Sequence, residues 1–343
     1  MTDPLTKAIA VGFALAMLLL GFGCTPPKPV ERKYISYLGA AWGLDGDTIY
    51  FLKQIRGSGI WFCKMNWDGS QKQEIARMWP GQDAYVDTQN GPIWMEVNAA
   101  TSNVVFDVEY GMGTVCIWVI GLNGKYLHKP FEPVWNEKEK ERVLHPSWSL
   151  DGSKLVYCKD SRELWTFDFK TKKRTKLTDG PRDEHPTWSP KGDWIAFTHN
   201  RYDNGDKGYT DRRVWLIRPD GSGQQPVVDE KNQPIFGWWP SWNPDGTRIS
   251  IAGGLLTLAD VATNRIEKLD PLYIIGERSP WLFLGHHWAG RGWLLAAGRN
   301  VIVMDSQAQK GRTVGAGGVY SEATSSSREQ WGIAPTDLEG KKR

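Results

Sequence analysis

A tryptophan followed four residues on by glycine and seven residues on by leucine or isoleucine recurs five times in this chain, and no other feature restricts the possible folds as much. The fullest copies are His145-Pro146-Ser147-Trp148-Ser149-Leu150-Asp151-Gly152, closing on Leu155, and His185-Pro186-Thr187-Trp188-Ser189-Pro190-Lys191-Gly192, closing on Ile195. Trp242, Gly246 and Ile249 make a third copy, Trp42, Gly46 and Ile49 an earlier one, and Trp288, Gly292 and Leu295 the last. A weaker copy holds Val97 and Val104 at the tryptophan and aliphatic positions. The starts at 42, 97, 148, 188, 242 and 288 lie 40–55 residues apart, the length of one supersecondary unit stacked beside the next.

A second pattern repeats inside the units. Ile60-Trp61, Ile117-Trp118, Leu164-Trp165 and Val214-Trp215 each open a short apolar run, and the runs end at Asp68-Gly69, Asn123-Gly124, Lys170-Thr171 and Asp220-Gly221. Asp-Gly and Asn-Gly between apolar runs are strong hairpin signals, because these residues tolerate positive φ. Each unit therefore reads as four short antiparallel strands: a, which carries the motif tryptophan, then b, c and d. Six such units predict an all-β chain, a six-bladed β-propeller of four-stranded antiparallel blades. One tryptophan per blade supplies an apolar body between neighbouring sheets, able to bury about 150–250 Å². Tyr34–Leu38 is expected to complete the blade that holds Val301–Val303, so that the ring has no open edge.

His-Pro-x-Trp-Ser-x-Asp-Gly followed by an aliphatic strand resembles the WD40-like repeat of TolB-type propellers, over residues 40–310. Gly39 and Gly285 replace the motif histidine in the first and last units, and the second unit lacks both the tryptophan and Asp-Gly. The resemblance implies a six-bladed ring and an envelope protein that contacts other envelope proteins.

The N-terminus has a different character. Lys7 precedes an apolar run from Ala8 to Gly23, shorter than the roughly 20 residues of a membrane span and suited to the core of an export signal. Leu20-Gly21-Phe22-Gly23-Cys24, followed by Thr25-Pro26-Pro27-Lys28-Pro29, resembles the lipobox and tether of bacterial lipoproteins. The expected organisation is a signal peptide over 1–23, a lipid-anchored tether over 24–33 with Cys24 acylated, the propeller over 34–320 and an irregular tail over 321–343. That organisation places the chain in a bacterial cell envelope, anchored to the membrane by lipid, with the propeller periplasmic or extracellular.

A formal charge of +3 over 343 residues gives no electrostatic case for nucleic acid. Besides Cys24 the chain has Cys63, Cys116 and Cys158, each within an apolar run and none in a Cys-x-x-Cys pair. They read as buried thiols rather than a disulfide framework. There is no Gly-x-Ser-x-Gly elbow, no Walker loop and no His-Glu-x-x-His, so neither catalytic machinery nor a cofactor is expected from motifs.

His145 and His185 occupy equivalent motif positions, and His287 lies beside the corresponding position of the last unit. Equivalent positions converge around a propeller's channel. Two readings stay open: imidazoles that hydrogen-bond strand ends, or ligands of a divalent cation, as in pectate-degrading propeller lyases with similar repeats. Trp239, standing where a histidine would be in the fifth unit, favours the first. The loop 200–213 clusters Asp, Asn and Gly without the spacing of an EF-hand. The a–b and c–d turns are short, while b–c loops and d–a connectors vary, and variable loops on a rigid scaffold carry recognition. The binding face is therefore expected on the loop-rich side, with His145, His185, His287, Tyr202, Tyr209, Arg212 and Trp239 as candidates. The expected function is a non-catalytic, protein-binding scaffold of the envelope; the alternative is a carbohydrate-active enzyme resembling oligogalacturonate lyases, with its site at a His-lined mouth.

Overall fold

The computed structural model describes residues 32–55, 59–79, 94–110, 114–128, 142–200, 211–253, 255–269, 287–289, 292–297, 300–305, 311–316 and 319–321. These residues form six antiparallel sheets. The first holds β1 (Arg32–Trp42), β2 (Thr48–Ile55), β3 (Gly59–Asn66) and β4 (Gln73–Trp79). The second holds β5 (Met95–Asn98), β6 (Asn103–Tyr110), β7 (Thr114–Gly121) and β8 (Tyr126–His128). The third holds β9 (Val143–Trp148), β10 (Lys154–Lys159), β11 (Glu163–Asp168) and β12 (Arg174–Lys176). The fourth holds β13 (Asp183–Trp188), β14 (Ile195–Asn200), β15 (Arg212–Ile217) and β16 (Gln225–Pro226). The fifth holds β17 (Trp238–Trp242), β18 (Arg248–Ala252), β19 (Leu256–Asp260) and β20 (Ile266–Leu269). The sixth holds β21 (His287–Ala289), β22 (Gly292–Ala297), β23 (Asn300–Asp305) and β24 (Gly311–Ala316), and β25 (Val319–Ser321) follows.

The six first strands β1, β5, β9, β13, β17 and β21 each touch the next and the last touches the first, closing a ring. The expected propeller of four-stranded blades is what the chain forms. Closure differs from expectation. Residues 35–42 pair with β2 in their own blade rather than with Val301–Val303, and the added strand is β25, which pairs with Arg32–Tyr34. Both ends of the described chain thus share one sheet, and β1 packs on β22 of the sixth without joining it.

The turn chemistry works as the residues dictate. Gly46, Gly152 and Gly246 sit at φ of 66–68°. In each turn the aspartate before the glycine accepts backbone N–H bonds, from Asp47 and Thr48 to Asp45, from Ser153 to Asp151, and from Thr247 to Asp245. This side-chain-to-backbone bonding fixes the turn locally.

Packing explains the repeated tryptophan. Trp148, Trp188 and Trp242 are buried, each toward the preceding blade. Trp148 lies with Val105, Ile117 and Val119 of the second sheet, Trp188 with Val156 and Leu164 of the third, and Trp242 with Ala196, Val214 and Leu216 of the fourth. Both faces of the inner strands are covered, which is why β13 is buried along its whole length. Cys63, Cys116 and Cys158 are buried thiols outside any disulfide, and burial pushes the Cys63 thiol up to about 12.

Among the described residues no helix is long and apolar enough to cross a membrane. The signal peptide, Cys24 and most of the tether lie outside the described residues, as do the tail beyond Ser321 and the loop 201–210 with Tyr202 and Tyr209.

Candidate functional site at the channel mouth

An innermost strand has no hydrogen-bonding neighbour on the channel side, so its N–H groups need other partners. The preceding blade supplies them from fixed repeat positions. In three blades the residue before the motif tryptophan, or before Val97 in its place, accepts the N–H of the following blade's tryptophan: Ser147 Oγ from Trp188 (2.9 Å), Ser241 Oγ from Trp288 (3.0 Å) and Glu96 Oε1 from Trp148 (3.3 Å). Three residues past the motif aliphatic, strand b supplies a second latch. Asp107 Oδ2 accepts the His145 N–H (2.7 Å), Thr198 Oγ1 accepts the Trp239 N–H (3.1 Å), and Cys158 Sγ donates to the Asp183 carbonyl (3.2 Å). Asp107 Oδ1 also takes the N–H of Trp94 (3.0 Å).

This second latch sits where strand a begins, and there the ladder breaks. One extra residue is inserted opposite strand b at His145-Pro146, His185-Pro186 and Trp239-Pro240. His145, His185 and Trp239 stand at φ of 52°, 54° and 54°. Side chains in this region cost on the order of 1–3 kcal/mol each. The bulge re-aims all three rings toward the axis. Just before it, Gly237 stands at φ 150°, where a Cβ would come within 2.4 Å of Ile251 Cγ2 and 2.5 Å of the Ala252 carbonyl.

The rings meet as the repeat predicts. His145 and His185 are 4.3 Å apart between centroids, His185 and Trp239 4.6 Å, and His145 and Trp239 5.9 Å. A fourth ring joins them. Trp94 stands three residues before Val97, the offset at which His145, His185 and Trp239 stand before their own motif residues. Its ring lies edge-on to Trp239 at 6.2 Å. The second and fifth blades are opposite each other in a ring of six, so this contact spans the channel. The sequence reading does not single out Trp94, although its fixed offset is a signal that could have found it. At the same offset the first and last units carry Gly39 and Gly285, so the repeat supplies rings from the second to the fifth blade only.

Charge surrounds the arc. Arg142 and Arg182 stand three residues before His145 and His185, a repeat that the motif search also passes over. Arg212 is buried and lies over Trp238 at 5.6 Å. Glu184 faces Arg182 at 3.3 Å and Arg212 at 3.7 Å, and Asp183 meets His199 Nδ1 at 2.7 Å. Burial first, then the Arg142 charge, pulls the His145 imidazole down to about 3. Burial, then His145, Arg212 and Arg182, holds His185 well below the usual range. Both rings are neutral near pH 7.

His145, His185, Arg212 and Trp239 are therefore brought together. His287 occupies a different place: it precedes Trp288 directly, the position of Ser147 and Ser241, and its side chain lies outside the described residues. A divalent cation does not suit the arc. Its two imidazoles are flanked by three guanidiniums, and among the described residues no three His, Cys, Asp or Glu side chains gather as a metal site.

No protein-family model matches the chain. A stretch of 107 residues, 30% of this chain, is 30% identical to an uncharacterised protein of Agrobacterium fabrum and covers 33% of it. A stretch of 133 residues, 37% of this chain, is 26% identical to the Tol-Pal system protein TolB of Francisella tularensis and covers 28% of it. The matches thus span a third or less of these relatives' own length. Among solved structures, an oligogalacturonate lyase of Vibrio parahaemolyticus superposes with a TM-score of 0.50 over 82% of this chain and 76% of the lyase, at 13% identity. That likeness speaks for the propeller fold. Repeat, fold and relatives agree, and the chain is a TolB-like β-propeller.

Proposed function

We propose that this chain is a cell-envelope lipoprotein whose propeller holds a protein partner at the loop-rich mouth of its channel, without catalysis. The observation that carries the reading is the arc of Trp94, His145, His185 and Trp239, because aromatic side chains on a rigid frame anchor protein interfaces. The carboxylates beside the arc are committed elsewhere. Asp107 holds two backbone amides, Glu184 faces two guanidiniums and Asp183 meets His199, which disfavours a role as general acid or base. The Tol-Pal relative supports an envelope setting.

The test is capture from the detergent-solubilised native envelope, with bound proteins identified by mass spectrometry. The parent chain should capture a defined partner, and a chain with Trp239→Ala, still folded although with a lowered thermal midpoint because the ring is buried, should lose it. Cys24→Ala should accumulate as a larger, unanchored precursor; normal processing of that variant would remove the lipoprotein part of the reading. The His pair at the mouth favours one other reading, an oligogalacturonate-lyase-like enzyme. Incubation with oligogalacturonate and a divalent cation would then give an unsaturated, ultraviolet-absorbing product.

A further inference from the structure

The polar atoms left over at the mouth have one chemistry. Trp94 Nε1, Trp238 Nε1 and Arg142 Nε are buried without a hydrogen-bond partner, and all three are obligate donors. His145 Nδ1 and His185 Nδ1 are likewise unpartnered, and each becomes a donor by tautomer choice. Trp94 is 4% exposed and His185 7%. A buried donor without an acceptor costs roughly 1–3 kcal/mol, so such a cluster in a folded protein asks for a ligand that accepts. The one orphan acceptor nearby, Asp183 Oδ2, packs beside Gly180.

The charges favour the same ligand. Glu184 is shared between Arg182 and Arg212, and none of the described carboxylates pairs with Arg142. Asp107 is occupied by the amides of Trp94 and His145, and Asp183 by His199. The pattern arises from the repeat: Arg142-Val143-Leu144-His145 and Arg182-Asp183-Glu184-His185 set guanidinium and imidazole at the same places on adjacent blades. Phe236 holds the corresponding place in the fifth blade, and lies under Arg213 at 5.3 Å and edge-on to Trp238 at 5.8 Å. Guanidiniums over aromatic faces suit planar anions, which they bind through paired N–H groups.

We propose that the mouth is a carboxylate-binding site, and that the partner docks through an acidic peptide segment whose carboxylates meet Arg142 and Arg182 against the Trp94–His185–Trp239 floor. This rests on the protein-binding reading above and names the partner's chemistry. Arg142 and Arg182 bind the anion, Trp94 and Trp238 present indole N–H groups to it, and the neutral imidazoles form the wall without competing as cations.

The test titrates the full chain, purified in detergent, with a blocked oligo-aspartate peptide, reading intrinsic tryptophan fluorescence. Oligo-asparagine, oligo-lysine and tri-galacturonate serve as comparison ligands. Oligo-aspartate should bind saturably and oligo-asparagine should not. Arg142→Gln and Arg182→Gln should each weaken binding by about tenfold or more. Arg265→Gln, on a distant turn of the fifth blade, should leave it unchanged. Should an arginine variant fail to fold, the salt dependence of the parent replaces it, since rim ion pairs weaken with ionic strength. Equal binding of oligo-asparagine, insensitivity to both arginines, or no saturable binding overturns the proposal. Binding of tri-galacturonate in preference to the peptide assigns the anion to a sugar acid and also overturns it. A captured envelope partner that oligo-aspartate fails to displace overturns this inference alone and leaves the protein-binding reading standing.

Discussion

Three titratable residues on the inner strands, His185 buried and Glu96 and His145 half-buried, carry most of the expected pH dependence. Glu96 lies at an inner-strand position that holds serine in the third and fifth blades, where it accepts the Trp148 N–H. Burial raises its carboxyl from 4.5 to about 7, against the smaller lowering effects of Ser147 and the Trp148 amide. A folded value above the unfolded one means stability that is present in full below about pH 4.5 and lost as pH rises through 7. The loss is up to about 3 kcal/mol. His145 and His185 have the opposite sign: their folded values are depressed, so their contribution is full above 6.5 and lost as pH falls. The parent profile should therefore have two limbs, a gain from Glu96 as pH falls from about 7 toward 4.5 and an opposing loss from the two imidazoles below 6.5, with little change from pH 8 to 7. Glu96→Gln should remove the first limb, being more stable than the parent at pH 8, and keep the second. Denaturant midpoints across pH 4–8 would check this, and identical profiles for parent and variant would show that Glu96 is not ionised against a burial cost. By NMR, the His145 ring should not titrate between pH 8 and pH 5.

At the scale of strands and turns, the repeat was the legible part of this chain. Trp, Gly and an aliphatic at fixed offsets report local constraints: a body between sheets, a positive φ in the a–b turn, and an apolar residue near the start of strand b. Each is satisfied within one blade and its neighbour, so sequence spacing carries it. Trp148→Ala, Trp188→Ala or Trp242→Ala should each cost about 3–5 kcal/mol, read as shifts of the denaturant midpoint at constant slope. Losses under about 1 kcal/mol at all three would mean that these rings are not the bodies holding blade to blade. The latches were less legible, because Asp107, Cys158 and Thr198 share a position but not a chemistry. An acid, a thiol and a hydroxyl each meet one backbone group of the next blade. Thr198→Val keeps the shape, leaves the Trp239 N–H unpaired and should cost about 1–3 kcal/mol. The same substitution should loosen the mouth, weakening ligand binding more than Ser241→Ala, whose latch lies further down the channel. His145 and His185 were readable as site residues because the motif marks them. Trp94 and the two arginines were not, since the first sits in the degenerate second unit and the others outside the motif.

For the whole molecule the decisive contact is the one between chain ends. A ring of six blades transmits strain around a closed circuit, and any junction that opens exposes the two apolar sheet faces that packed across it. Five junctions lie between blades that follow one another in sequence. The sixth joins the last blade to the first, across which β1 packs on β22 while β25 returns to pair with Arg32–Tyr34. The hydrogen bonds of β25 are few, but they convert a non-covalent junction into one that the chain itself spans, and loop-closure entropy is recovered only when they form. Closure of the ring also fixes the distance between the second and fifth blades, and so the Trp94–Trp239 contact over the channel. Ending the chain before Val319 should therefore do two things at once. It should lower the thermal midpoint, with proteolysis starting at the first or sixth blade rather than at the third or fourth. It should also weaken ligand binding at a mouth whose residues all lie on the second to fifth blades, far in sequence from the cut. Limited proteolysis with mass spectrometry reads the first effect and fluorescence titration the second. A truncated chain with both the midpoint and the binding of the parent would mean that the ring is held by its apolar junctions alone, and that the return strand is not a clasp.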